Sequence, residues 1–287
     1  MASRFAYLLI ATILLAGCRT GRNYPDTEGP RHAGRPAPDR TVRPTRGDTV
    51  RIVSFNIAFG RRADSAIVLL KSNPALRGAD VILLQEMDAP STRRVAEELG
   101  FGYVYYPAIF SLRTKRDFGN AVLSRWPIVE DSKIVLPHVS RYARTQRIAT
   151  AATIRIGASR LRVYSTHLST IFDVGEAARR DQLRAILKDA AKYPRVVIGG
   201  DMNSSSVGRV ARDMGYAWPT ERGPNTTRGA RWDHIFIKGL SRTTTAAAGT
   251  VRDVRGASDH RPVRAIAIFG TDAPRRSVTY STQDSDR

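Results

Sequence analysis

The sequence predicts an α/β domain in which two sheets can stack with helices outside, and three observations carry that prediction. Short apolar runs alternate with turn signals from Thr49 onward; both halves of the chain combine several such runs with helical spacing; no short period repeats. At 287 residues and 42% hydrophobic content, the chain can bury a large core without disulfides or a structural metal.

Residues 50–55 read as a strand entering Asn56, residues 63–71 have helical spacing, and residues 79–84 form a near-continuous buried run ending at Gln85-Glu86. Ser91 is placed to cap a helix over 92–99 that Gly100 terminates. Strands follow at 103–106, 120–123, 148–156 and 160–165, with 157–159 as a hairpin turn. Within 148–156, Ile148, Ala152, Ile154 and Ile156 can line one face of a half-buried strand. Residues 176–192 are the strongest helix, with Ala177, Leu183, Ile186, Leu187 and Ala190 on one side. Residues 195–198 then run into Gly199-Gly200-Asp201, and 233–237, 243–251 and 261–269 supply the last strands.

The ends differ in kind. Residues 1–17 carry Arg4, an apolar run over 5–15 and small residues, the pattern of an export signal too short to span a bilayer comfortably. Leu15-Ala16-Gly17-Cys18 resembles the lipobox of bacterial lipoproteins, which implies lipidation of Cys18 and a lipid-anchored, exported protein, with the outer membrane preferred. Cys18 is the only cysteine, so nothing mispairs in an oxidising compartment; an ordinary secretory signal with a chance cysteine is the alternative. Residues 18–48 hold five prolines and seven arginines with almost no aliphatic side chains, and read as a flexible tether. Residues 49–270 form the folded domain and 271–287 a polar tail.

The net charge of +20 comes from 46 basic and 26 acidic residues, 40 of the former being arginine. Guanidinium groups bind phosphate in a bidentate manner, so a polyanion or an anionic membrane surface suits this chain; codon usage accounts for the arginines equally well.

Four polar clusters end or follow the strand-like runs: Gln85-Glu86, Thr166-His167-Leu168, Gly200-Asp201-Met202-Asn203 and Ser258-Asp259-His260. Each alone is a capped turn; together they gather carboxylates, an amide and imidazoles, as metal-assisted attack on a phosphate ester requires. Glu86 and Asp259 are the leading ligands for a hard cation, with Asn56 beside them, although a turn-forming role explains Asn56 alone equally well. His260 directly follows Asp259, and Asp233 at the start of its strand is the candidate to hold the imidazole.

These residues resemble the endonuclease/exonuclease/phosphatase superfamily. The matching pieces are Ser54-Phe55-Asn56, Leu84-Gln85-Glu86, Gly119 to Arg125, Ser165 to Leu168, Gly200 to Asn203, Asp233 to Phe236 and Ser258 to Val263, in the family's order over residues 50–269. The resemblance implies a four-layer αββα sandwich with two mostly antiparallel sheets (DNase I-like). It also implies that Glu86 holds Mg²⁺ or Mn²⁺, with Asn56 and Asp259 close to it. Asp201 positions or deprotonates the attacking water, and Asn203 hydrogen-bonds a phosphate oxygen. His260, oriented by Asp233, stabilises the transition state, and His167 matches a second phosphate-facing histidine. The carboxylate that orients His167 is not identifiable, Asp117 being a candidate, and His234 stands where the family commonly has an aromatic residue.

The expected activity is phosphodiester hydrolysis by in-line water attack, in a monomer. Export and charge favour nucleic acid as the substrate. The lipid anchor favours a phospholipid, sphingomyelin-type or other small phosphoester; residues 108–112 are a short segment for bilayer insertion, and residues 216–231, with Trp218, can stack bases or bind headgroups. The complete set of acid, amide and histidine positions argues against a non-catalytic phosphate-binding protein.

Overall fold

The computed structural model describes residues 21–35, 49–242 and 248–269. The first half runs β1 (Gly21–Asn23), β2 (His32–Gly34), β3 (Thr49–Asn56), α1 (Ala63–Ser72), β4 (Val81–Met87), α2 (Ala89–Leu99), β5 (Gly102–Ser111), β6 (Arg116–Ser124) and β7 (Ile128–Val135). The second half runs β8 (Ile148–Ile156), β9 (Ser159–His167), α3 (Glu176–Ala190), β10 (Val196–Asp201), α4 (Gly208–Asp213), β11 (Asp233–Lys238), β12 (Ser241–Arg242), β13 (Ala248–Thr250) and β14 (Val263–Ile268).

One sheet has the order β1-β5-β6-β4-β3-β14-β12, with β2 also on β5 and β13 also on β14; the other has the order β11-β10-β9-β8-β7. Among the described residues, only β3 with β4 and β9 with β10 pair in parallel. Alternation along each strand builds the four expected layers. Val50, Ile52, Val81 and Leu83 of the first sheet meet Ile148, Ala152, Val163 and Val197 of the second in a core between the sheets. The opposite faces bury Val53, Phe55, Ile82 and Leu84 against α1 and α2, and Tyr164, Val196 and Ile198 against α3 and α4.

The structure corrects several expectations. The segment 21–35 is not a tether: β1 and β2 both pair with β5, Arg31 forks onto Asp131, and Tyr24 Oη donates to Asp117. Composition shows that this segment cannot build its own core, but an edge strand borrows one from its neighbour. Residues 36–48, the export signal, Cys18 and the tail lie outside the described residues. Asp88, not Ser91, caps α2: its carboxylate accepts the Ser91 N–H at 2.8 Å. Strand β8 is buried on both faces rather than half-buried, because it lies inside a covered sheet. β7 escapes sequence reading because this edge strand leaves Glu130 and its neighbours in solvent.

Candidate active site

The parallel and antiparallel registers of the second sheet bring three strand ends together: Asp201 of β10 pairs with His167 of β9 on one side and with Asp233 of β11 on the other. The first sheet adds Asn56 at the end of β3, opposite Gln85 on β4. Glu86 sits where the β4–β6 register slips, at a φ of 58°, a bulge that turns its carboxylate toward the other sheet. Gln85 on the preceding position is buried and donates to Ser165 Oγ of the facing sheet at 3.0 Å, so it fixes the spacing of the two sheets rather than touching the reacting centre.

Asn56 links the two carboxylates. Its amide N–H groups donate to Glu86 Oε1 at 3.1 Å and Asp201 Oδ2 at 3.2 Å, while its carbonyl oxygen accepts the Ala58 N–H at 3.1 Å. The Phe59 N–H donates to Glu86 Oε2 at 3.1 Å. His260 Nδ1 lies 2.9 Å from Asp233 Oδ2, as expected from the sequence, and its Nε2 points to Asp201 at 3.7 Å. Ser258 fastens this loop to the first sheet by donating to Asn56 O at 2.7 Å.

Burial and charge set the protonation states. Desolvation raises the pKa of Glu86 above the usual carboxylate range, and the nearby Asp259 pushes it further, while Asn56 and Arg147 oppose the shift. Desolvation and repulsion from Asp233 also push Asp201 up. Burial works against the charge of His260, but Asp233, Asp201 and Asp259 outweigh it and raise the imidazole to about 10. His167 is held neutral, well below its ordinary range, by burial and by the cations Arg147 and His260.

The residues fit a divalent cation. Glu86 is a half-buried carboxylate that feels the exposed carboxylate of Asp259, and a cation offsets both its desolvation and that repulsion. A second grouping, Asp201, Asp233 and His260, has ligand atoms within 4.8 Å of one another, but Asp233 and His260 are committed to each other and the imidazole is protonated.

Other expected residues take different places. Asn203 adopts a φ of 46° and donates its N–H to Asp201 Oδ1 at 2.9 Å and its side-chain amide to Leu168 O at 3.0 Å, which leaves one amide proton for a ligand. His167 Nε2 faces Asp201 Oδ2 at 3.4 Å and its Nδ1 is buried without a partner, 3.8 Å from Glu86 Oε1. Asp117 does not orient it, being engaged by Tyr24. His234 accepts from Trp218 Nε1 at 3.1 Å, faces the Ser204 and Arg231 carbonyls, and is pushed down to about 4 by burial. It is therefore a structural histidine, and Trp218, 7% exposed against His234 and Phe236, stacks on the core rather than on a ligand.

Sequence reading missed Arg147, Phe118 and Phe59. Arg147 lies 5.4 Å over the Phe118 ring, and Phe118 packs against His167 with ring centroids 5.7 Å apart. The signal for Arg147 was present: a cation directly before the apolar run of β8, much as Glu86 stands just past the end of one. All three line a cavity of about 580 Å³ beside the carboxylates, with Ile109, Leu112 and Thr145 on its other walls.

Comparison with known proteins bears on the fold and the family. An endonuclease/exonuclease/phosphatase from Beutenbergia cavernae is 21% identical over 78% of this chain and 72% of its own, with a TM-score of 0.60. The human Nocturnin catalytic domain with bound sulfate is 18% identical over 84% and 98%, TM-score 0.57. D. rerio TDP2 complexed with single-strand DNA product is 18% identical over 76% and 98%, TM-score 0.56. No curated protein matches the sequence. The model of the Endonuclease/Exonuclease/phosphatase family matches residues 53–260, most of the folded domain. The chain belongs to the endonuclease/exonuclease/phosphatase family.

Proposed function

We propose that the protein is a divalent-metal-dependent phosphodiester hydrolase acting by in-line water attack. The observation that supports it most is the convergence, where strand ends of the two sheets meet, of Asp201, the His260–Asp233 pair and Glu86, with Asn56 bridging Glu86 and Asp201. Glu86 and Asp259 would hold Mg²⁺ or Mn²⁺, which supplies Lewis-acid stabilisation of charge on the phosphoryl oxygens. Asp201, made more basic by burial, takes a proton from the attacking water. The water oxygen bonds to phosphorus as the opposite ester P–O bond breaks, and the departing alkoxide collects a proton from solvent. His260 and the free Asn203 amide proton donate to nonbridging oxygens, and Arg147 adds a fixed positive charge from the cavity side. The cavity receives the alcohol, and its Phe59, Ile109, Leu112 and Phe118 walls favour an apolar or aromatic one.

Nucleic acid is the second reading, favoured by the net charge of +20. Turnover of plasmid DNA, sphingomyelin and a generic soluble phosphodiester, with Mg²⁺ or Mn²⁺ present, separates the two. Glu86→Ala and His260→Ala abolish turnover of whichever substrate is used, and full activity in either variant rejects the site.

A further inference from the structure

The cavity lined by Phe59, Phe118 and Arg147 is bordered by three segments, the β5–β6 turn over 112–115, the loop over 138–146 and the loop over 170–174, which give it Leu112, Thr145 and Asp173. The last two are tied together: the Arg141 N–H donates to Asp173 O at 3.1 Å and Ser140 Oγ to Asp173 Oδ1 at 2.6 Å. Nine large apolar side chains are exposed among the described residues, and six of them, Phe59, Leu112, Val139, Tyr142, Ile171 and Phe172, belong to this rim or to the cavity wall. Phe172 is 78% and Tyr142 69% exposed. Apolar groups gathered on one face mark an interaction surface, whereas scattered ones do not.

The same face is basic. Arg61, Arg113, Lys115, Arg141 and Arg144 are all exposed there. The nearby acids are engaged, Asp173 by Ser140 and Thr170 and Asp117 by Tyr24. The chain also enters the domain at this place. Gly21 pairs with Ser111 at the tip of the β5–β6 hairpin, and Asn23 braces the loop by donating to Arg144 O and accepting the Gln146 N–H, both at 2.9 Å. Cys18 stands three residues before Gly21, a span of roughly 10 Å at full extension.

We propose that this face docks on a bilayer carrying anionic lipid, with the apolar side chains among the headgroups and the cations against their phosphates. A bilayer fits better than a nucleic acid strand, because Leu112, Val139 and Ile171 have no ring face on which a base can stack. An acyl anchor on Cys18, only three residues before Gly21 in sequence, would add the second of the two signals that stable membrane attachment requires. The proposal goes beyond the phosphodiesterase reading and does not depend on it.

The test uses the full chain carrying Cys18→Ser, so that each introduced cysteine is the only one. An environment-sensitive fluorophore is placed at Phe172→Cys or, as a control, at Met214→Cys; Met214 precedes Ala217, which bridges to Ile237 at the end of β11 remote from the site. With vesicles of phosphatidylcholine and phosphatidylglycerol, the label at 172 shifts to the blue and is quenched by lipid-borne quenchers, and the label at 214 is not. Equal responses at the two positions, or a response at 172 to DNA but not to vesicles, overturn the proposal. Lys115→Gln with Arg141→Gln weakens the response at 172 about thirtyfold, while turnover of a soluble phosphodiester stays within twofold. An unchanged response in that double variant also overturns the proposal. Glu86→Gln docks like the parent; docking without turnover in the parent rejects the phosphodiesterase reading alone.

Discussion

Gly199 and Gly200 precede the proposed base, Asp201, and differ in what a methyl group would meet. At Gly200 a Cβ would fall inside the contact shell of the Thr166 backbone carbonyl oxygen on β9; at Gly199 it would lie 2.6 Å from Leu83 Cδ1, the end of a flexible side chain. Ordinary contact begins near 3.4 Å, so Gly200→Ala forces β10 from β9 by about 1 Å or more, next to the pair that sets Asp201 against His167. Overpacking of this kind costs about 3 kcal/mol, which is roughly 6–12 °C in Tm for a domain of this size. A displacement of about 1 Å at a reacting group lowers kcat about a hundredfold. Leu83 can swing away, so Gly199→Ala costs about 1 kcal/mol and leaves kcat within about threefold. Thermal melts by circular dichroism and turnover of a soluble phosphodiester measure both quantities. If Gly200→Ala melts and turns over like its parent, or if Gly199→Ala is the worse of the two, strand spacing does not position Asp201 as described.

Other replacements separate the roles of single groups. Asp233→Asn keeps an acceptor for His260 but removes the charge, and kcat falls about 10²–10⁴-fold with little change in Tm; a loss under twofold refutes its orienting role. Arg147→Lys retains a cation without the planar fork over Phe118 and lowers kcat/KM about tenfold or more, a wild-type value contradicting its contribution to phosphate binding. His234 is buried neutral, with a folded pKa of about 4 against an ordinary 6.5. Its folded pKa being the lower, protonation favours the unfolded chain, so stability is full above pH 6.5 and falls by about 3 kcal/mol as pH drops toward 4. Denaturant unfolding across that window measures the fall, and an equally steep fall in His234→Phe rules out this source.

The layers were legible because both sheets bury their strands in near-continuous apolar runs, and the site because carboxylates such as Glu86 interrupt those runs where burial makes them costly. Asp233 and His260, 27 positions apart, were paired correctly because each adjoins a strand end and an imidazole beside a carboxylate becomes more basic and fixed in orientation. What the sequence concealed depends on other segments. β1 and β2 have no apolar pattern and exist as strands only because β5 offers an unpaired edge. Trp218 looked like a surface aromatic because nothing local shows that His234 and Phe236 cover it. Phe59 and Phe118 are ordinary apolar residues in sequence, and only folding sets them around the cavity.

Metal dependence at Glu86 is tested most directly by one titration, the turnover of a soluble phosphodiester by the full chain after chelation and stepwise return of Mg²⁺. Turnover falls to background with chelator, returns along a saturable curve, and never returns in Glu86→Gln, whose melting temperature matches the parent. Turnover that survives chelation, or that Mg²⁺ restores equally in Glu86→Gln, would contradict it.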